Sequence, residues 1–174
     1  AASLTAAVGS PLQPIFQKIA GTNTSYSIPD SDTVKYEKNL GISGWVDNEP
    51  LFIGNRSLMK AHGIEIPSLE VDKKILRQGY FPVYVATTST ACALVVIQYN
   101  VDPMVEKELH KIADLGVMLL VENCDPNVTE EMLCDYFAEH IQQMDITITD
   151  KMVTMIGNAG DGYMLLALEL DEIG

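Results

Sequence analysis

The sequence predicts two successive folds, an α+β unit built on an antiparallel sheet and then a parallel α/β region. Three observations lead there. Between residues 33 and 54, three short strand-like runs follow one another at meander spacing, with Asp47-Asn48 supplying a tight turn. After residue 80, apolar strands alternate with helical patterns, the mark of a parallel sheet. The charge breaks as well. Residues 1–99 hold eight acids and eight bases, whereas residues 100–174 hold sixteen acids against Lys107, Lys111 and Lys151. The expected division is therefore 1–80 and 81–174.

Each element has a local reason. In residues 1–20, Leu4, Val8, Leu12, Ile15, Phe16 and Ile19 recur at helical spacing, interrupted or capped near Gly9-Ser10-Pro11. Residues 21–32 are rich in Thr, Ser, Asn, Asp and Pro and read as loop. Strands follow at 33–38, 42–46 and 50–53, and Gly54-Asn55 ends the last. Arg56 to His62 reads as a short helix stopped by Gly63, and residues 69–78 as another. Val83 to Thr87 and Ala91 to Tyr99 are apolar strands, and Val105 to Leu115 is a helix ended by Gly116. Val117 to Val121 is an unbroken apolar run of the fully buried kind. A helix from Thr129 to Ile141 and strands at 146–156 and 163–170 complete the pattern. Trp45, the only tryptophan, is expected in the core or on a sheet face.

Composition excludes several functions. With 47% apolar and 20% charged residues the chain is a folding one, and its 174 residues can bury a core unaided. A formal net charge of −13 repels phosphate backbones, so nucleic acid is not an expected partner. Cys92, Cys124 and Cys134 have neither disulfide-framework nor zinc spacing, as suits a reducing compartment. His62, His110 and His140 stand on helices without paired ligands. The chain opens at Ala1 inside a helical pattern, which reads as a segment of a longer protein.

Asp102-Pro103 and Asp125-Pro126 each follow a strand and precede a helix. Helix capping explains both, and so does a functional loop, since ligands gather at the carboxyl ends of parallel strands. The order of the parts carries more. Val8-Gly9-Ser10-Pro11-Leu12 precedes Asn39-Leu40-Gly41-Ile42-Ser43-Gly44. Then come Phe52-Ile53-Gly54-Asn55-Arg56-Ser57-Leu58-Met59 and Leu115-Gly116 through Asn123-Cys124-Asp125 to Thr129. In this order, and diffusely over residues 1–140, the chain resembles the nucleotide-binding and phosphorylation domains of P-type cation ATPases, most closely the heavy-metal branch. The fold so implied is an antiparallel-sheet nucleotide-binding subdomain followed by a partial haloacid-dehalogenase-like (Rossmannoid) parallel α/β subdomain.

The resemblance implies roles for particular residues. Ser10, Gly41 and Gly44 fall on nucleotide-binding positions, Asp125 and Lys151 on phosphate-handling ones, and Asp161 on the Mg²⁺ loop. It also marks departures. Ser10 stands where the family has the histidine that contacts adenine, and Asn39 replaces the first glycine of the turn. Asn123-Cys124 replace Thr-Gly before Asp125. In Asn158-Ala159-Gly160-Asp161-Gly162, Asn158 takes the place of a Mg²⁺-binding aspartate, and a simple turn explains these residues equally. The family's phosphorylated Asp-Lys-Thr-Gly-Thr is missing, and no aspartyl-phosphate forms without its nucleophile. ATP and Mg²⁺ binding is thus expected to be weak or absent. The leading expectation is a cytosolic fragment of a P-type-ATPase-like cation-transport membrane protein, catalytically incomplete as given. It would lie on the cytoplasmic face, with the rest of a membrane-embedded parent as its partner. The alternative is a non-catalytic pseudo-ATPase with a regulatory or interaction role, and a third reading, a soluble phosphatase, needs the same missing aspartate.

Overall fold

A computed structural model of the chain describes residues 1–21, 25–100, 104–105, 107–108, 118–122, 125–129, 132–133, 146–149 and 163–167. It divides into two units. The first comprises Ala1–Tyr99 with Cys124–Asn127, and the second comprises Asn100–Asn123 with Val128–Gly174.

The first unit is a five-stranded antiparallel sheet with strands in chain order: β1 (Val34–Glu37), β2 (Gly41–Val46), β3 (Glu49–Gly54), β4 (Phe81–Thr87) and β5 (Thr90–Ile97). The β2–β3 hairpin closes at the expected residues. Val46 pairs with Glu49, and Asp47 and Asn48 both take positive φ, 52° and 67°. That is the backbone of a two-residue turn whose twist matches its strands. β4 and β5 continue this same sheet, with Leu51 opposite Thr87 and Phe81 opposite Ile97. The unit therefore runs past residue 80. At Val85/Ala86 the register slips, leaving Cys92 as the extra residue of a bulge, its thiol against the Val85 carbonyl at 3.3 Å.

Period-two alternation sends side chains to both faces of this sheet, and each face has its own helices. Helices α1 (Ala2–Ala7) and α2 (Gln13–Ala20) bring Leu4, Leu12 and Phe16 against Ile42, Ile53, Val83 and Val85. Helices α3 (Arg56–Ala61) and α4 (Leu69–Leu76) lie between β3 and β4 in sequence, and α3 brings Leu58 and Met59 against Tyr84 and Ala86. β4 is consequently buried on both sides, which explains its unbroken apolar run. Each large apolar side chain so enclosed is worth about 1.5–3 kcal/mol. Helices α3 and α4 pack on β3 and β4, and Trp45 on β2 is left 57% exposed, a sheet-face residue outside the core.

The second unit contains a three-stranded parallel sheet, β6 (Met118–Glu122) flanked by β7 (Ile146–Thr149) and β8 (Tyr163–Ala167). Helical backbone occurs at 104–105, 107–108 and 132–133. Ahead of the last of these, the Thr129 hydroxyl accepts from the Met132 amide at 3.1 Å, as an N-cap does. Strand pairing here is parallel, whereas β4 and β5, which the sequence placed with the parallel region after residue 80, pair antiparallel in the first sheet. Among the described residues, no helix is long and apolar enough to cross a membrane.

Candidate functional site

The site begins where β2 starts and β3 ends. Gly41 and Gly54 face each other across the ladder, and Gly41 has φ 145°. A Cβ on Gly41 would come within 2.2 Å of the Ile53 carbonyl, and one on Gly54 within 2.2 Å of the Leu40 carbonyl. Two backbones approach closely here, which only glycine permits. Asn39 turns the chain into β2 with φ 58°, a conformation asparagine tolerates.

Asn55 then ties the neighbourhood together. Its Oδ1 accepts from the Ser57 and Leu58 amides at 3.0 and 3.1 Å, capping α3. Its Nδ2 donates to the Asn39 carbonyl at 2.7 Å, and also lies 3.5 Å from the Pro126 carbonyl. The Gly-Asn segment and the Asn39–Gly41 turn, separated in sequence, are thus one structural corner.

Asp125 belongs to the same unit. It is 2% exposed, and its carboxylate accepts from the Tyr99 hydroxyl at 2.5 Å and from the Asn127 amide at 2.9 Å. Burial pushes its pKa up, against the pull of those two hydrogen bonds. Asn127 also donates to the Pro82 carbonyl at 3.4 Å, and Tyr99 stands edge-on to Phe81 with ring centres 5.0 Å apart. The turn at 125–127 therefore sits at the Pro82–Tyr99 end of β4 and β5. No spacing rule signals Tyr99 as its partner.

Ser10 and Gly44 have local tasks. Ser10 is 3% exposed, and its hydroxyl accepts from the Leu12 amide at 3.2 Å in the turn between α1 and α2. A Cβ on Gly44 would meet Leu4 Cδ1 at 2.6 Å, so the bare glycine is what lets α1 lie on β2. Lys151 and Asp161 lie outside the described residues, as do Asp102, Asn123, Cys124 and the 157–162 turn. Among the described residues, no three His, Cys, Asp or Glu side chains gather to hold a metal.

Two further polar clusters escape sequence reasoning. Arg56 grips Asp72 in a fork, Nε to Oδ2 at 2.7 Å and a terminal nitrogen to Oδ1 at 2.8 Å, while also reaching the Tyr84 hydroxyl at 2.9 Å and the Ser68 carbonyl at 3.1 Å. The Tyr84 hydroxyl donates to Asp72 in turn. Desolvation works to raise the Asp72 pKa, but the bonds from Arg56 and Tyr84 outweigh it and leave it lowered. Tyr84 is pushed up to about 12 by burial and by the Asp72 carboxylate. In the second cluster, Glu37 accepts from Ser43 at 2.7 Å and faces His62 Nε2 at 2.7 Å. The serine is hydrogen-bonded to the carboxylate rather than to the imidazole, so this is no nucleophile–base pair.

No protein-family model matches the chain. Manganese-exporting P-type ATPases of Mycobacterium bovis and Mycobacterium tuberculosis are 22% identical to it over 143 residues, which is 80% of this chain. Over that stretch the chain is similar to P-type ATPases. It spans about a fifth of the length of those proteins, 20%. Two solved structures overlap with the chain. One is the N-domain of a copper-transporting P-type ATPase, 18% identical with a TM-score of 0.42, covering 55% of this chain and 81% of that one. The other is a zinc-transporting P-type ATPase, 14% identical with a TM-score of 0.39, covering 84% of this chain and 24% of that one.

Proposed function

We propose that the chain is a cytosolic region of a P-type-ATPase-like cation-transport membrane protein, catalytically incomplete by itself. The observation that carries this is the 22% identity over 143 residues to manganese-exporting P-type ATPases. The cargo proposed for the parent protein is a transition-metal cation of the heavy-metal class. On this reading the first unit, which continues past residue 80 to Tyr99, holds the nucleotide-binding-like part and the second unit a partial haloacid-dehalogenase-like phosphorylation region. Asp125 and Lys151 would assist phosphate handling and Asp161 a Mg²⁺ ion, provided that the parent supplies the nucleophilic aspartate.

Two features of the first unit speak against a nucleotide at the positions the resemblance implies. Ser10 is buried and bonded within its own turn, and the space over Gly41 is filled by the Ile53 carbonyl. The same facts support a second reading, a pseudo-ATPase module that keeps the architecture for regulation or interaction. Isothermal titration with ATP and Mg²⁺ tests the point. We expect a Kd weaker than about 1 mM, corresponding to less than about 4 kcal/mol of binding free energy. Micromolar binding would show that a nucleotide site exists despite Ser10, and would return the chain to the catalytic reading.

A further inference from the structure

Beside the β2–β3 hairpin, a cavity of about 540 Å³ opens against Trp45. Its lining includes Ser27, Pro29, Asp30 and Thr33 from the segment before β1, and Asp47 and Asn48 of the hairpin turn. Nothing in the P-type ATPase reading uses this place.

Three features of it converge. The indole is 57% exposed, although it is the largest side chain on its strand and the only tryptophan. The lining contains two carboxylates and no Lys, Arg or His. Neither the Asp30 nor the Asp47 side chain has a hydrogen bond or ion pair among the described residues. Their backbones are nonetheless held in place. Asp47 is held in a two-residue turn at φ 52°, and the Asp30 carbonyl accepts from both the amide and the hydroxyl of Thr33, at 2.9 and 2.7 Å. An exposed aromatic face in a cavity lined by two unpaired carboxylates suits a flat cation. A guanidinium stacks on an indole while its N–H fork engages carboxylates, more effectively than an ammonium does. We propose that the Trp45 cavity is a docking site for an arginine-bearing peptide segment, the arginine side chain lying over the indole between Asp30 and Asp47.

The lone tryptophan also reports on its own site. A fluorescein-labelled, acetylated tri-arginine peptide is titrated against the full chain by anisotropy, with Trp45 emission followed in parallel. Saturable binding that perturbs Trp45 emission is expected, with the tri-lysine peptide several-fold weaker. Trp45→Ala should weaken tri-arginine binding at least tenfold, and Asp47→Asn, which keeps a residue suited to positive φ, about threefold or more. Glu70→Gln removes an exposed charge on α4, away from the cavity lining, and should leave binding unchanged. Circular dichroism establishes that each variant folds. If Trp45→Ala binds as tightly as the wild type, or Glu70→Gln weakens binding as much as Asp47→Asn, the peptide is held by general acidity and the proposal falls.

Discussion

Replacing Arg56 by alanine tests the physical account of the first unit most directly. Arg56 donates two hydrogen bonds to Asp72, and the side chains are only 14% and 8% exposed. Without the guanidinium, Asp72 keeps the Tyr84 hydroxyl but loses its counter-charge. Stranding a buried carboxylate in this way costs about 3–5 kcal/mol, and the residual solvent contact favours the lower end, about 3 kcal/mol. For a domain of this size, 1 kcal/mol moves Tm by about 4–8 °C, so a fall of about 12–24 °C follows. Urea unfolding and a thermal melt, both followed by far-UV circular dichroism, read the two quantities. The triple variant Arg56→Met/Asp72→Leu/Tyr84→Phe removes every partner together and should recover most of the loss, because burying a charged pair is itself expensive. The pH dependence supplies a separate check. The folded-state pKa of Asp72 lies below its ordinary value of 3.8, so its stabilisation is present above 3.8 and fades as pH falls through the folded value. A cost for Arg56→Ala below about 1 kcal/mol, the size of a surface ion pair, would refute the reasoning.

Asp125 should behave in the opposite sense. Its folded pKa is raised, so its contribution is fullest below 3.8 and is lost as pH rises through the folded value. Relative to wild type, Asp125→Asn should therefore gain stability as pH rises above 3.8, as measured by urea midpoints; a gap that stays constant with pH would contradict a buried, upshifted carboxylate. Gly44→Ala drives a methyl to 2.6 Å from Leu4 Cδ1 and should cost about 1–3 kcal/mol by overpacking, with Leu4→Ala as a second-site partner that relieves much of the clash in a double-mutant cycle. Thr88, a β-branched residue at φ 55°, should accept glycine with a gain of about 1 kcal/mol, read as a rise in Tm.

Local chemistry made much of the first unit readable. The Asp47-Asn48 turn, the alternation on β2 and β3, and the Asn55 cap of α3 are all encoded within a few residues of where they act. Partner choice is not encoded that way. The pattern of Val83 to Ile97 announces apolar strands, but their place beside β3 depends on hairpin register and on helices covering both faces. Arg56 and Asp72 meet across 16 residues and Tyr99 and Asp125 across 26, distances at which no periodicity speaks. The charge break near residue 100 gave a truer boundary than the change in strand pattern at 80, since the first unit's continuous stretch ends at Tyr99. Trp45 shows the converse difficulty. An apolar residue on a sheet face is buried only if something covers it, and the helices on that face lie over β3 and β4.

The Asp125–Asn127 turn has a practical consequence for anyone who wants to isolate the first unit. A fragment ending at Tyr99 would have a continuous sequence but an incomplete fold: the Tyr99 hydroxyl would lose its carboxylate acceptor, and the Pro82 carbonyl its amide donor. The natural cut is therefore not a single point in the chain. Excising the stretch between Asn100 and Asn123 and splicing Tyr99 to the 124–127 segment through a short glycine-rich bridge would keep the turn in place. Comparing the solubility of that spliced chain with that of the simple truncation would show how far the four returning residues complete the unit.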